Sequence, residues 1–480
     1  MQVPLLQPPP RHGASEFIKK VLFLGVVLVA FIILVPSNHE RRVIVTDVIP
    51  TLCESVGADS EPYGVMLNID GTDFMLLLDT GSSNLVIASD ACETCHVSPR
   101  IDAKGTLKFN ISYGSGSITN QLGQGNIKFG SKHIKADIGY IIEQETHEGF
   151  NLFANSSTCY NTYAGILGLA YKGQAAGPFS NGSTTPFLDR VIERYQMSNY
   201  FAIEICPEYP ENCPTRSDNA SWNPTSKCAS DKVGALFIGG YTSSRVDTPI
   251  QYALQTDQVH FNVQIVEIEV CGELLCENVT FPDAINGTTE DSCVCDSPDC
   301  SKLVHYCYFS VLDTGTQRIY LNTVANTEAL LNTMQRLEMV NSNDKSFYYN
   351  KTALQDGVVY ENSSLSFYMT AYGDGLIKLP VENRYLFRKT KTGLVQNGIQ
   401  GDLALIRDFS KAKFPILLGN VFMRGKAILY DRSRKRIGFG SISQASCQKK
   451  SSNHFDLFGA NSDPTPGDGC RRGTGSGGGC

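Results

Sequence analysis

Apolar and polar residues alternate in short runs along most of the chain from about residue 62 onward, and glycines separate the runs. Alternation with a period of two, bounded by turn residues, predicts β-strands joined by hairpins. Helical spacing is best at 186–196 and 323–337. The protein is therefore predicted to be mainly β. The runs that carry this prediction are 63–71, 74–78, 107–113, 125–130, 235–239 and 261–270.

The length of 480 residues is too great for one ordinary hydrophobic core, and it suits two lobes of roughly 150 to 200 residues each. The predicted boundary follows Gly239 and Gly240, which gives an N-terminal lobe at 60–240 and a C-terminal lobe at 241–447. Residues 448–480 are rich in Ser, Gly and Asp and contain no apolar run. Because such a segment cannot bury a core, we expect a disordered tail there.

An uninterrupted apolar run occupies residues 21–35, and Arg11, Lys19 and Lys20 precede it. This arrangement is typical of a signal peptide or a signal anchor, and residues 1–36 are assigned to one of the two. Cleavage would release the lobes. Retention would tether them by residues 21–35 as a single-pass type II membrane protein. A short pro or linker segment is expected at 37–59.

Cysteine usage and glycosylation acceptors indicate an oxidising compartment. The chain has 16 cysteines, which are more typical of secretory than of cytosolic proteins. Asn-X-Ser/Thr acceptors are usable only after entry into the secretory pathway. The folded part is therefore expected, as a glycoprotein, in the secretory lumen or outside the cell. The acceptors are Asn110, Asn155, Asn181, Asn219, Asn278, Asn286, Asn350 and Asn362.

The charge balance adds little to this picture. A net charge of −7 without an extended basic block gives no reason to expect nucleic-acid binding. Two segments, 206–231 and 276–307, are rich in Cys, Pro, Asn and Asp and are predicted to be disulfide-linked surface insertions.

The candidate chemistry lies in two similar turns. Asp79-Thr80-Gly81 follows Leu77-Leu78, and Asp313-Thr314-Gly315 follows Val311-Leu312. Two carboxyl groups held close together cannot both ionise easily, so they share one proton. One carboxylate can then act as general base on a water molecule while the other carboxyl donates a hydrogen bond to a scissile carbonyl. This chemistry needs no metal and no cofactor, and it predicts a paired-aspartate hydrolase.

The residues that follow each aspartate suit this role. Gly81 and Gly315 let the backbone approach the carboxylates closely and present N–H donors. The hydroxyls of Ser82 and Thr316 are expected to bond the outer carboxylate oxygens, and those of Thr80 and Thr314 are expected to join the two loops.

With these motifs in place, residues 60–447 resemble the pepsin-like, bilobal family of aspartic peptidases, with features of the β-secretase branch. The resemblance implies two β-barrel-like lobes with the active site in the cleft between them. It also implies an aspartic endopeptidase with an acidic optimum. The matching motifs are Asp79-Thr-Gly-Ser-Ser-Asn-Leu85, Tyr113-Gly-Ser-Gly-Ser117, Gly165-Ile-Leu-Gly-Leu-Ala-Tyr171, Asp313-Thr-Gly-Thr316, Leu417-Leu-Gly419 and Tyr430-Asp-Arg-Ser-Arg-Lys-Arg-Ile-Gly-Phe439.

The resemblance also implies roles for individual residues. Tyr113, with Gly114 and Ser115, would form the tip of a flap over the substrate. Tyr163 and Ile166 would line a pocket for large apolar substrate residues near the scissile bond. Gln317 stands where the family usually has Ser or Thr and would face the substrate backbone. Polypeptide substrates and a monomeric catalytic unit are expected.

Disulfide pairing is predicted only in part. Cys92-Glu-Thr-Cys95 allows a redox or zinc site, but a small disulfide loop is favoured because no second ligand pair has zinc spacing. The resemblance suggests that Cys276 pairs with Cys447, and Cys206 is expected to pair locally with Cys213 or Cys228. Disulfides are likewise favoured over a metal site for the cluster of Cys293, Cys295, Cys300, Cys307 and His305.

The alternative function is a catalytically inactive, aspartic-protease-like glycoprotein that binds peptides in the same cleft. Such a protein usually lacks an aspartate, a turn glycine or the flap tyrosine. Asp79, Gly81, Tyr113, Asp313 and Gly315 are all present here, which favours the enzyme.

Overall fold

The computed structural model describes a mainly β protein, and its described residues all belong to one compact unit within Val43–Cys480. Short stretches between 272 and 447 are also described. The longer described ranges are 43–53, 62–114, 116–146, 162–180, 184–207, 233–270, 309–321, 363–390 and 416–443. The predicted signal segment 1–36 and the tail 448–480 lie outside them, as does most of each Cys-rich insertion.

Among its described residues, the first half of the chain has twelve strands and one helix. The strands are β1 Ile44–Pro50, β2 Leu52–Cys53, β3 Tyr63–Ile69, β4 Thr72–Asp79, β5 Leu85–Ala88, β6 Leu107–Tyr113, β7 Gly116–Phe129, β8 Lys132–Thr146, β9 Cys159–Tyr160, β10 Gly165–Gly168, β11 Tyr200–Ile205 and β12 Gly234–Ile238, and the helix is α1 Phe187–Tyr195. Short 3-10 turns occur at Lys172–Gln174, Gly177–Phe179 and Ser243–Arg245.

The second half is also mainly β. Its strands are β13 Gln251–Leu254, β14 Asn262–Val270, β15 Glu273–Leu274, β16 Val279–Thr280, β17 Val294–Cys295, β18 Phe309–Leu312, β19 Ile319–Tyr320, β20 Val340–Asn343, β21 Ser346–Tyr349, β22 Ser363–Thr370, β23 Leu376–Glu382, β24 Phe387–Thr390, β25 Gly393–Gln396, β26 Ile399–Gln400, β27 Ile416–Leu418, β28 Lys426–Asp431 and β29 Arg436–Ser441. The described residues of this half also form two short helices, α2 Asn383–Leu386 and α3 Asn420–Met423.

Two large sheets organise these strands. A 13-stranded sheet has the order β13-β29-β28-β11-β12-β1-β3-β4-β10-β5-β8-β7-β6, so it contains strands from both predicted lobes. An eight-stranded sheet has the order β23-β22-β14-β18-β27-β19-β26, with β15 paired to β14. The mainly β, bilobal prediction is confirmed. The lobe boundary near residue 240 stays a prediction.

Helix α1 follows the spacing that predicted it. Phe187, Leu188 and Val191 lie on one face and are buried, as apolar residues three to four positions apart should be. The helix begins after Pro186 and ends at Gln196, whose φ of 50° is left-handed. The second predicted helix, 323–337, lies largely outside the described residues.

Strand β1 was not expected from the sequence. It lies within the predicted pro or linker segment 37–59, yet it pairs with β12 and β3 inside the large sheet, and Val48 is fully buried. The pairing Ile44↔Ile238 joins residues almost 200 positions apart in the chain, so the local pattern gave no indication of it. Residues 44–50 therefore form part of the sheet.

The disulfide prediction is right in one place and wrong in another. Cys92 and Cys95 form the expected small loop. Cys206 pairs with Cys447, so neither the local pairing of Cys206 nor the pairing of Cys447 with Cys276 is correct. Cys276, Cys213 and Cys228 lie outside the described residues. The observed bond joins the end of β11 to the region that follows β29, because antiparallel pairing of β11 with β28 brings these segments together.

Within the described part of the chain, no helix has the length and apolar character needed to cross a bilayer. The apolar run at 21–35 is not among those residues.

Candidate active site

Two equivalent strand pairings position the two aspartates. Asp79 ends β4, which runs parallel to β10 so that Asp79 is in register with Gly168. Asp313 directly follows β18, which runs parallel to β27, and the Asp313 N–H donates to the Leu418 carbonyl at 3.1 Å. Each carboxylate therefore stands at the end of a buried strand, and a neighbouring parallel strand fixes its backbone.

The glycine turns bring the carboxylates face to face. The Gly81 N–H donates to Asp79 Oδ1 at 2.8 Å, and the Gly315 N–H donates to Asp313 Oδ1 at 2.9 Å. A Cβ at Gly81 would lie 2.7 Å from Oδ1 of Asp313, and one at Gly315 would lie 2.8 Å from Oδ1 of Asp79. Each turn thus packs against the opposite carboxylate so closely that no side chain fits.

Hydroxyl groups hold the outer carboxylate oxygens. Ser82 Oγ donates a short hydrogen bond to Asp79 Oδ2, and Thr316 Oγ1 donates to Asp313 Oδ2 at 2.5 Å. Each carboxylate therefore accepts one backbone and one side-chain hydrogen bond. These bonds leave the inner faces of the two groups directed toward each other.

The threonines of the two turns exchange hydrogen bonds across the site. The Thr80 N–H donates to Thr314 Oγ1 and the Thr314 N–H donates to Thr80 Oγ1, both at 3.0 Å. Thr80 Oγ1 then donates to the Leu312 carbonyl at 2.8 Å, and Thr314 Oγ1 donates to the Leu78 carbonyl at 2.7 Å. Both side chains are fully buried. This symmetric network joins the loops and fixes the separation of the aspartates.

The electrostatics of the site favour one shared proton. Asp79 is only 5% exposed. Burial and the negative charge of Asp313 raise the pKa of Asp79 to about 7, although the hydrogen bonds from Ser82 and Gly81 oppose the shift. Because the two carboxyl groups interact strongly, this proton belongs to the pair.

Two further glycines lie behind the turns. A Cβ at Gly168 would lie 2.5 Å from the Asn84 nitrogen, and one at Gly419 would lie 2.4 Å from the Thr316 carbonyl oxygen. On the Gly419 side, the Asn420 N–H donates to the Thr316 carbonyl and the Asn420 side chain donates to the Thr314 carbonyl. Asn420 was not predicted from the sequence, although its position directly after Leu417-Leu-Gly419 was a signal.

The hairpin of β6 and β7 carries Tyr113 at its tip, paired with Gly116. Burial and the nearby Asp79 carboxylate raise the pKa of Tyr113, and the Ser82 hydroxyl partly offsets this effect. The Tyr113 hydroxyl is therefore close to the dyad, and its role as a flap residue stays a prediction. Gly114 has open space around its Cα, and Ser115 lies outside the described residues.

The expected pocket residues lie beside the Asp79 strand. Ile166 is in β10, in register with Leu77 of β4, and is 1% exposed. Tyr163 precedes this strand and is also buried. Gln317 is half-buried, and its carbonyl accepts the Val421 N–H at 3.1 Å. Their roles toward substrate stay predictions.

Side chains from the first and second halves of the chain contact one another. Tyr171 donates its hydroxyl hydrogen to Gln255 Oε1 at 2.9 Å, and the Gln174 side chain contacts His260 Nε2 at 2.6 Å. The Arg432 guanidinium lies 4.7 Å from the centre of the Tyr171 ring. Gln174 and His260 were not predicted from the sequence, because no local motif surrounds either residue.

The described residues contain no group of three or more His, Cys, Asp or Glu side chains arranged to hold a metal ion.

Comparison with known proteins agrees with this geometry. Residues 64–205 match the family model for eukaryotic aspartyl protease. Beta-secretase of Strongylocentrotus purpuratus is 26% identical over 227 residues, which are 45% of this chain and 39% of that protein, so the match spans less than half of the relative. Cathepsin E of Aquarana catesbeiana is 23% identical over 410 residues, which are 81% of this chain and 84% of that protein.

Gastricsin of Macaca fuscata fuscata is 22% identical over 383 residues, which are 77% of this chain and 80% of that protein. The two longer matches each cover more than three quarters of this chain. The chain is therefore similar to pepsin-like eukaryotic aspartyl proteases, and residues 64–205 match the family model itself.

Proposed function

We propose that this protein is an aspartic endopeptidase that hydrolyses peptide bonds with a water molecule activated between Asp79 and Asp313. The observation that carries the proposal is the facing pair of carboxyl groups, each held by a glycine N–H and a hydroxyl. Preorganised donors of this kind stabilise charge at a fixed place without rearrangement during the reaction.

The proposed reaction uses the shared proton. The ionised carboxylate accepts a proton from water as the water oxygen attacks the scissile carbonyl carbon, while the protonated carboxyl donates its proton to the carbonyl oxygen. The tetrahedral diol then collapses: one diol hydroxyl gives its proton to the ionised carboxylate, the C–N bond breaks, and the departing nitrogen receives the proton of the protonated carboxyl group. The products are a new carboxyl terminus and a new amino terminus, and the pair again holds one proton.

The electrostatics support activity in acid. Because the pKa of Asp79 is raised to about 7, the pair keeps its proton through the acidic range and loses it near neutrality. Loss of that proton removes the donor to the carbonyl oxygen, so activity is expected to fall as pH approaches 7.

The proposed substrates are polypeptides with large apolar residues near the scissile bond. Support comes from the buried, apolar surroundings of Tyr163 and Ile166 and from the position of Tyr113 close to the dyad. We further propose that the glycosylated protein acts as a monomeric catalytic unit in the secretory lumen or outside the cell, without a cofactor. The apolar run at 21–35 would be a cleaved signal or a membrane tether.

The test is digestion of a denatured protein mixture from pH 3 to pH 7, with cut sites identified by mass spectrometry. Wild type should cut beside large apolar residues in acid, and Asp313→Asn should reduce cutting at least about 1000-fold, because it removes half of the pair. Asp374→Asn, at an exposed turn between β22 and β23, is the matched control and should leave cutting unchanged.

Pepstatin should block the wild-type activity. If folded and processed wild type made no cuts at any pH, the endopeptidase proposal would be wrong, and a peptide-binding glycoprotein with an inactive cleft would replace it.

A further inference from the structure

A histidine lies in register with one of the two aspartates. Strand β14 runs antiparallel to β18 with Asn262 opposite Val311, and the Leu312 N–H donates to the Phe261 carbonyl at 3.1 Å. Continuing this register by one residue places His260 opposite Asp313. The backbone thus brings a third titratable side chain to the edge of the dyad.

The side chains of Gln174 and Gln255 hold His260 in place. Its Nε2 contacts the Gln174 side chain at 2.6 Å, and the His260 carbonyl accepts a hydrogen bond from Gln255 at 3.1 Å. Nδ1 is buried and has no hydrogen-bond partner among the described residues. A buried ring nitrogen without a partner is costly. Packing alone therefore does not explain the buried position of the His260 ring.

The charged groups around His260 are mostly acidic. Asp257, in the same loop, accepts the His260 N–H through Oδ1 at 3.0 Å, and Asp313 lies on the adjacent strand end. Lys172, on the facing 3-10 turn, is exposed. Burial lowers the pKa of His260 from 6.5, while Asp257 and Asp313 oppose that shift. His260 is therefore neutral near pH 7 and gains its charge in the acidic range.

We propose that His260 is a positioning residue whose positive charge in acid stabilises the singly ionised state of the aspartate pair. The inference rests on the proposed protease function and assigns to His260 the lower pH limit of activity. At that limit the pair takes up its second proton and loses its general base. A cation beside Asp313 opposes this second protonation and extends activity to lower pH.

The test compares pH profiles of kcat/KM for wild type, His260→Gln and His260→Phe. In both neutral variants the acidic limb should move upward by about 0.5 pH unit, the effect of one charge several ångströms away in a partly solvated site. The alkaline limb should stay in place, because His260 is uncharged there. Either variant suffices if the other does not fold.

Two controls separate charge from packing. His260→Lys keeps a cation and should keep the acidic limb at or below its wild-type position. His96→Gln, at an exposed site after the Cys92–Cys95 loop, should leave both limbs unchanged. An acidic limb that shifts equally in His260→Lys and His260→Gln would assign His260 a packing role only and overturn the inference.

The two proposals fail in different ways. Active wild type with an unchanged acidic limb in the neutral variants would refute the role of His260 and leave the protease function intact. If wild type shows no turnover, the protease proposal fails. The charge effect is then read from carbon-13 titration of the Asp313 carboxyl in wild type and His260→Gln. An identical titration in the two proteins would refute the inference.

Discussion

At the scale of single residues, the dominant feature of the site is the burial of an ionisable group. Asp79 is 5% exposed and faces a second carboxyl, and Gly81 and Ser82 donate hydrogen bonds to it. Burial of an anion favours its neutral form. The folded state therefore favours protonated Asp79, so the free energy of unfolding depends on pH.

We predict that Asp79→Asn changes the pH dependence of stability. The folded-state pKa of Asp79 is raised, so its protonated form stabilises the fold. That contribution is complete below about pH 4, and it is lost as the pH rises through about 7. The unfolding free energy of wild type, measured relative to that of Asp79→Asn, should therefore decrease as the pH rises from about 4 to about 7. The asparagine variant cannot ionise.

Urea unfolding at pH 4, 5, 6 and 7 measures this difference. The exposed Asp374→Asn variant serves as reference, and its difference from wild type should not follow the same course. A stability difference between wild type and Asp79→Asn that is constant over this range would contradict the prediction.

At the scale of elements, two strand ends cooperate through one network. β4 and β18 each end in a turn whose threonine bonds the backbone of the other strand, by Thr80 to Leu312 and Thr314 to Leu78. All four groups are buried, so removal of one hydroxyl leaves a carbonyl and an N–H without partners. The two turns are therefore expected to lose stability as one unit.

We predict a strongly non-additive double-mutant cycle for the two threonines. Thr80→Val and Thr314→Val should each lower the free energy of unfolding by about 1–3 kcal/mol, because each leaves buried polar groups unpaired. The double variant should cost less than the sum, since the two side chains share hydrogen bonds. Urea unfolding gives all three values.

A third valine variant controls for the change of residue type. Thr119→Val lies on the half-buried face of β7, where the substitution should cost little. Additive costs for Thr80→Val and Thr314→Val would mean that the two turns are stabilised independently.

The separation of interacting residues along the chain explains what could be predicted from the sequence. Asp79, Asp313 and their flanking residues lie in short motifs whose chemistry depends on residues within three positions, so the pattern identified them. His260 reaches Asp313 through the register of β14 and β18, about 50 residues apart. Strand β1 pairs with β12, almost 200 positions later in the chain, and the Cys206–Cys447 bond joins residues 241 positions apart. Local patterns do not encode such distant pairings.

At the scale of the whole molecule, one covalent bond closes most of the second half of the chain. Cys206 follows β11 and Cys447 follows β29, and 241 positions separate them. A cross-link stabilises a protein chiefly by restricting the unfolded chain, and the effect increases with the length of the closed loop. The Cys92–Cys95 bond, with a separation of 3, closes almost no loop.

We predict that the paired substitutions Cys206→Ser and Cys447→Ser lower the free energy of unfolding by about 3–5 kcal/mol. The matched control, Cys92→Ser with Cys95→Ser, should cost clearly less. Urea unfolding without reductant measures both effects, and peptide mapping of wild type checks the pairing. A disulfide between Cys447 and any cysteine other than Cys206 would contradict the structure.

The 13-stranded sheet has a consequence for how the cleft opens. β13, β28 and β29 come from beyond residue 250, but they continue the same hydrogen-bonded surface as β11 and β12. A hinge between the halves would have to break the six-residue pairing of β11 with β28. The β6–β7 hairpin, in contrast, ends in a free glycine tip at Gly114. If the proposed function is correct, access of a polypeptide to the dyad should therefore depend on movement of this hairpin, because the β11–β28 pairing holds the two halves together.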